Sequence, residues 1–424
     1  MKIRAGVGAS DNPDAIKAGR EAAVKSLQGI GKGKPKISIV FSTIHYEKNL
    51  RGMLAEINSV IDAPLVGCTG GAIIVPDRVH ARGVGVLTLS GDLDVGVGVG
   101  EHTRTTPIKA GEKAIRMAME GIGETKYANK CGIIFPSGMK FPNIPGMKSM
   151  MKIGISKLMF PMLSNFMGML GTGPARYDEI LEGVMKGSKG EIPIVSGGAF
   201  DDFKGQRNFQ FLNGNVYHDS IVALIIASDA KFKAEYKHGL KPTGKSMKVT
   251  KAKGNLAFEI NNKPAWEGFK EVYEIPPKLE NKWKDNPVIM SIYQVPAEKD
   301  EQGNYWVIAP LCVIGDAILF AKNVEETTLH ICRGTGEDIL SAAKEVALAA
   351  TKNITPAFSL VFTTVPRIMT MMENIDVERQ YIKEVLGDVP FIGFYCCAGG
   401  ICVPGKPPFI QCLNETITVS VFGE

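Results

Sequence analysis

The stretch ISIVFSTIHYEKNLRGMLAEINSVIDAPLVGCTGGAII, from Ile37 to Ile74, decides how the chain folds. It opens with a β-branched run that ends in two hydroxyls, Ser42 and Thr43. A helical stretch around NLRGMLAEINSV follows, then a proline-led apolar run, a glycine pair and a last apolar segment. This reads as strand, helix, strand, glycine turn, strand, in which the first two strands lie parallel with the helix on one face. The order recurs at CGIIFPSG (131–138), YDEILEGVMKG (177–187) and IPIVSGGAF (192–200). It recurs again at AFSLVFTTV (357–365), VERQYIKEVLG (377–387) and VPFIGFYCCAGGI (389–401).

Three related strand-helix-strand-glycine-turn modules predict an α/β fold, a layered α/β sandwich with mixed sheets. The glycines let the backbone bend where a side chain would clash. The polar endings Ser42, Thr43, Ser137, Thr363 and Thr364 then fall at the carboxyl edges of the first strands. Beside them lie the glycine turns, with Cys68, Thr69 and Gly70, with Ser196 and Gly197, and with Cys396, Cys397 and Gly399. That edge is where open α/β sheets bind small ligands. Each position also has a plainer reading as strand-end and turn chemistry.

The third glycine turn carries thiols, and a metal or redox centre is the obvious alternative. The turn recurs without them at Ser196 to Gly198, however, so the thiols are accessory. Adjacent Cys396 and Cys397 point to opposite faces of a strand. Cys397, Cys402 and Cys412 could converge across a hairpin, yet no nearby histidine completes a four-ligand site. No metal is expected, and packing is the main reading.

With 424 residues the chain exceeds one ordinary core, and a change of texture at Asp229 divides it into 1–229 and 230–424. Beyond Asp229 come lysine-rich alternating strands with an Asn-Asn turn, then a helix; residues 274–286 read as surface connection. A net charge of +5 gives no electrostatic case for nucleic acid. The start MKIRAGVGAS has no apolar leader and no segment is long and apolar enough to span a bilayer, so the expected location is cytoplasmic. The eight cysteines read as reduced thiols.

Several catalytic signatures are absent: the Gly-x-Ser-x-Gly elbow, His-Glu-x-x-His, a P-loop and a dinucleotide fingerprint. GVGVG at 96–100 lies in a strand pattern and reads as close sheet packing. No cofactor is expected. RGTGEDIL at 333–340 reads as a helix cap at Thr335 or Gly336, where a phosphate could also sit. The methionine-rich run 139–173, with four lysines and no acid, fits either helices that cover the sheet, a lid, or a membrane-surface contact.

Several segments in order resemble the FIST family, named for F-box and intracellular signal transduction proteins. They are GVGAS (6–10), IVFST (39–43), PLVGCTGGAI (64–73), IPIVSGGAF, HGLKPTGKSMKVTKAKGNLAFEINNKPAWE (238–267), LVFTTVPR (360–367), VPFIGFYCCAGGI and NETITVSVF (414–422). The resemblance implies an N-terminal and a C-terminal FIST region forming a sensor of small ligands, such as amino acids, that signals to a downstream partner. The chain departs from the family where a Gly-Glu pair is replaced by Ala398, Gly399 and Gly400, and where TTVPR keeps only Arg367.

A glycine-lined cleft holding a carboxylate is the resulting expectation, with Arg367 as its bidentate partner. His238, Asn414, Glu415 and Thr416 join Ser42, Thr43, Ser196, Thr363 and Thr364 as polar lining, and Cys68, Cys396 and Cys397 form walls. The competing reading is an enzyme with Cys68 or Cys397 as nucleophile and His238 as base. A third is an adaptor acting through 139–173.

Overall fold

The computed structural model describes residues 3–140, 169, 173, 175–285, 294–371, 374–405 and 407–424. The methionine-rich run therefore falls almost wholly outside the described residues.

The first two modules begin with a strand and a helix whose contact is set by small residues. In the first, Asp14 caps helix Ala15–Ile30 by accepting from the amides of Ile16 and Lys17, at 2.9 and 3.0 Å. The helix buries Ala15, Ala18, Gly19, Ala22 and Ala23, and it lies almost on the backbone of strand Ile3–Ser10. A Cβ at Gly8 would stand 2.2 Å from the Ala22 carbonyl. The GVGVG run repeats the device: in strand Asp94–Glu101 a Cβ at Gly98 would stand 2.2 Å from the Ala114 carbonyl of helix Pro107–Ile122. Close sheet packing is what the alternating glycines provide.

Three mixed sheets share one strand order. In the first, Ile3–Ser10, Val84–Gly91, Pro35–Thr43 and Leu65–Gly70 lie side by side, the last two parallel. In the second the corresponding strands are Asp94–Glu101, Ser220–Ser228, Asn129–Pro136 and Ile194–Gly197. In the third they are Lys231–Lys237, Ile417–Gly423, Pro356–Thr364 and Phe391–Cys396.

Each sheet is completed by a hairpin from a different module. Ile73–Ile74 and Val79–His80 of the first module join the third sheet beside Phe391–Cys396. Gln210–Leu212 and Asn215–Tyr217 of the second join the first sheet beside Leu65–Gly70. Gly399–Val403 and Phe409–Leu413 of the third join the second sheet beside Ile194–Gly197. The exchange is cyclic, and a ring of backbone bonds closes it: Gly71 N to Tyr395 O, Phe200 N to Thr69 O and Cys397 N to Gly198 O, each 2.9 Å.

Phenylalanines at equivalent positions of the three central strands meet at the middle of this ring. Phe41, Phe135 and Phe362 form a triangle with ring centroids 5.4, 6.3 and 6.2 Å apart, every pair edge-on. Phe394 lies 4.4 Å from Phe41. The glycines Gly70 and Gly197 make this possible, since a Cβ there would approach the Phe394 ring to 2.6 and 2.9 Å. Crowding by rings thus joins turn geometry as a reason for glycine.

The third module is interrupted between Lys231–Lys237 and helix Gly336–Thr351 by an eight-stranded antiparallel sheet. Helix Ala265–Tyr273 packs on it through Trp266, Phe269 and Tyr273. The expected surface connection at 274–286 contains the short helix Glu280–Asp285, held where Glu280 accepts from Lys270 Nζ at 2.9 Å and Trp266 Nε1 at 3.3 Å. Among the described residues no helix is long and apolar enough to cross a membrane.

Candidate functional site

The carboxyl ends of the central strands and the glycine turns beside them are sealed by hydrogen bonds within and between modules. Thr43 Oγ1 accepts from Gly83 N and Thr364 Oγ1 from Thr416 N, both at 3.0 Å. Thr69 Oγ1 accepts from Phe209 N at 3.0 Å. Ser42 donates to the Thr43 carbonyl, and the buried Ser196 hydroxyl has no partner. Gly197 and Gly399 stand opposite each other across two strands. Cys68 and Cys396 share the core around the phenylalanines, while Cys397, just past the end of strand Phe391–Cys396, joins the opposite core. The sequence-predicted residues of the three glycine turns are thus brought together, but as buried contacts between modules.

Burial pushes every thiol up: Cys397 and Cys332 to about 11, Cys312, Cys402 and Cys412 to about 12, and Cys68, Cys131 and Cys396 well above the ordinary thiol value. The Arg104 charge at Cys397 and the Lys322 charge at Cys412 oppose this without overcoming burial, so the thiolate that nucleophilic catalysis requires is not favoured at any of them. Among the described residues no group of histidine, cysteine and acidic side chains has metal-binding geometry.

Arg367 is equally occupied. It is 1% exposed and lies beside the fully buried Glu378. Its Nε donates to Glu378 Oε1 at 2.9 Å, Nη2 to that oxygen and to the Ile339 carbonyl at 2.7 Å, and Nη1 to the carbonyls of His238 and Glu415 at 3.2 and 3.5 Å. Thr363 and Tyr395 hydroxyls donate to Glu378 Oε2, each at 3.1 Å. All the guanidinium donors have protein acceptors, which makes Arg367 a brace behind the segments carrying His238 and Glu415.

Those two segments border a cleft of about 530 Å³ between the third module and the inserted sheet. His238 and Asn414 line it, as does Thr416. Its aromatic wall is Tyr236, Tyr305 and Trp306, with Tyr236 and Trp306 ring centroids 5.6 Å apart. His238 Nδ1 accepts from Leu240 N at 2.8 Å, so Nε2 carries the proton given to the Tyr305 carbonyl at 3.0 Å. Burial pushes its pKa down, which keeps the ring neutral. With both nitrogens in use, His238 fixes the wall and is not poised as a base.

Charge enters from helix Gly336–Thr351. Lys241 Nζ meets Asp338 Oδ1 at 2.6 Å, and Lys237 pairs with Glu345. Hydrogen bonds from Lys241 and Thr335 hold the Asp338 carboxyl well below the usual carboxylate range. Asp338 also closes a capping box on Thr335, so the helix start that could have held a phosphate is filled by the chain itself. The sequence reading missed Tyr236, Lys237, Lys241, Tyr305, Trp306, Asp338 and Glu345. The sequence features that pointed toward this place were His238, Asn414, Thr416 and the helix cap read at Thr335 or Gly336.

Glu415, between two residues of the cleft wall, is 4% exposed and has an Oε1 without a partner. Its backbone is left-handed, with φ 53°, a conformation costly for a residue with a Cβ. Burial pushes its carboxyl to about 8, opposed by the Arg367 charge. Below the unfolded value near 4.5 both states are protonated; from there to about 8 the unfolded chain loses the proton and the folded one keeps it. Stability is therefore expected to fall with rising pH across that window, by up to about 1.4 kcal/mol per unit. Urea midpoints measured from pH 5 to 9 should show this slope in the native chain and a flatter profile in Glu415→Gln. Parallel profiles would refute it.

The fold is a mixed α/β module with a cleft of small-molecule size. A model of the FIST N domain matches residues 36–263 and one of the FIST C domain matches 271–399. The chain belongs to the FIST family, whose domains are signalling sensors of small ligands. It is 36% identical over 88 residues to the uncharacterized protein MJ1623 of Methanocaldococcus jannaschii, a match covering 21% of this chain and 17% of that protein. Two cyanuric acid hydrolase structures align over their full length. The enzyme from A. caulinodans gives a TM-score of 0.36 at 8% identity over all of this chain, and the other 0.38 at 7% over 99%. Likenesses this low carry no argument about chemistry.

Proposed function

We propose that this chain is a cytoplasmic sensor whose cleft beside His238 and Asn414 takes an amino acid or a related small zwitterion for signal transduction. The observation that supports this is the pairing of charges around an aromatic wall. Lys237 and Lys241 offer two cations, and Asp338 and Glu345 two carboxylates, on one rim. A ligand with both an amine and a carboxylate can exchange each exposed pair for a pair of its own, whereas a simple anion leaves two carboxylates facing it. Exposed pairs of this kind are screened by water and contribute little to stability, so opening them costs little. Tyr236, Tyr305 and Trp306 would cover the side chain of the ligand. The division into regions 1–229 and 230–424 is kept with this reading, the cleft belonging to the second.

A thermal-shift screen against amino acids, organic acids and nucleotides tests it. A ligand at a hundred times its dissociation constant should stabilise the protein by about 2.7 kcal/mol. Amino acids are expected to act, and Lys241→Ala, at a side chain 74% exposed and outside the core, should weaken the effect at least tenfold. No shift with any amino acid, or a shift indifferent to Lys241→Ala, would overturn the proposal.

A further inference from the structure

A second cavity, of about 260 Å³, lies where the first and second modules meet. Its lining includes Glu47, Arg104, Ser137, Lys140, Arg207 and His218. It owes its existence to a departure from the three-fold pattern. In the first and third modules the hydroxyl at the end of the central strand closes on the amide of the returning strand, as Thr43 does on Gly83 and Thr364 on Thr416. Ser137 keeps only the backbone part of this bond, from its amide to the Ser220 carbonyl at 2.8 Å. Its hydroxyl turns instead to Asn208 Oδ1, at 2.9 Å, and accepts from Arg104 Nη1 at 3.2 Å.

Arg104 is almost fully buried here. It pairs with Asp219 at 2.6 Å and donates to the Gly138 carbonyl at 2.7 Å, but its Nε has no partner. Arg207 pairs with Glu47, and its Nε is likewise buried without an acceptor. Three cations therefore face two carboxylates. The unmatched one is Lys140, which makes no ion pair among the described residues. Its charge adds to burial in pushing the His218 pKa down, and so in keeping that imidazole neutral.

We infer that this cavity is an anion site for a small oxyanion group, a carboxylate or a phosphate. The surplus positive charge, the donors left over on two arginines and the small volume all select a compact anion. The inference does not rest on the reading of the cleft, because no residue is shared between the two places.

The test titrates the full chain with inorganic phosphate and, separately, with acetate, by calorimetry and by NMR of the His218 ring. Saturable binding of one probe with movement of the His218 resonances is expected. Lys140→Ala and Arg207→Ala, both on side chains with solvent access, should each raise the dissociation constant at least tenfold. Lys241→Ala, in the cleft, should leave it unchanged. Preference for phosphate or acetate then distinguishes the two sources of the anion. Absence of saturable binding with either probe, binding that leaves His218 still, or binding indifferent to both variants would overturn the inference.

Discussion

Arg367→Ala is expected to cost about 3–5 kcal/mol of stability, the range for leaving one partner of a buried ion pair alone. The residue it abandons, Glu378, is 0% exposed and would keep only the hydroxyls of Thr363 and Tyr395. The carbonyls of Ile339, His238 and Glu415 would lose their donor as well. Two of these belong to segments bordering the cleft, so the effect should reach ligand binding indirectly, by letting the wall move. The control is the double variant Arg367→Met with Glu378→Leu, which removes both charges while keeping apolar volume. Desolvation no longer opposes it, so much of the lost stability should return. Urea midpoints of the two proteins decide the matter. If Arg367→Ala unfolds at the native midpoint, the brace does not exist; if the double variant is worse than the single, the polar network matters more than the stranded charge.

The repeated modules were legible because each repeats a local signal. A β-branched run, an amphipathic helix and a proline-led strand are each settled by their own near neighbours, and the glycines at 96, 98 and 100 announced close packing in the same local way. The exchange of hairpins was not legible. Gly399 and Gly400 look like the turn at Gly197 and Gly198, yet they belong to a strand that pairs with that very segment from the far end of the chain. Pairing partners so distant leave no periodicity to read. The cleft was hidden for the same reason. Its aromatic wall comes from an inserted hairpin, Tyr305–Val307, and from strand Lys231–Lys237, and only the fold sets them opposite Asn414. Arg367 was singled out because TTVPR keeps it from the family pattern, but sequence gives no sign that Glu378, on the following helix, is its partner.

The phenylalanine triangle offers the sharpest test of the three-fold arrangement. Phe41→Ala, Phe135→Ala and Phe362→Ala should each cost about 3–5 kcal/mol, the usual range for removing a buried aromatic ring. Collapse of the surroundings cannot relieve the loss easily. Each ring stands on a central strand held on both sides by neighbours, and the backbone ring through Gly71, Phe200 and Cys397 fixes the three sheets relative to one another. The three losses should also interact, because every ring touches the other two edge-on and such pairs carry about 0.5–1.5 kcal/mol beyond burial. Double-mutant cycles over the pairs 41–135, 41–362 and 135–362 should therefore give three couplings of similar size and favourable sign. A single dominant coupling with two near zero would mean that the three sheets do not share one centre in solution. Three additive losses would mean that the rings contribute only their buried area.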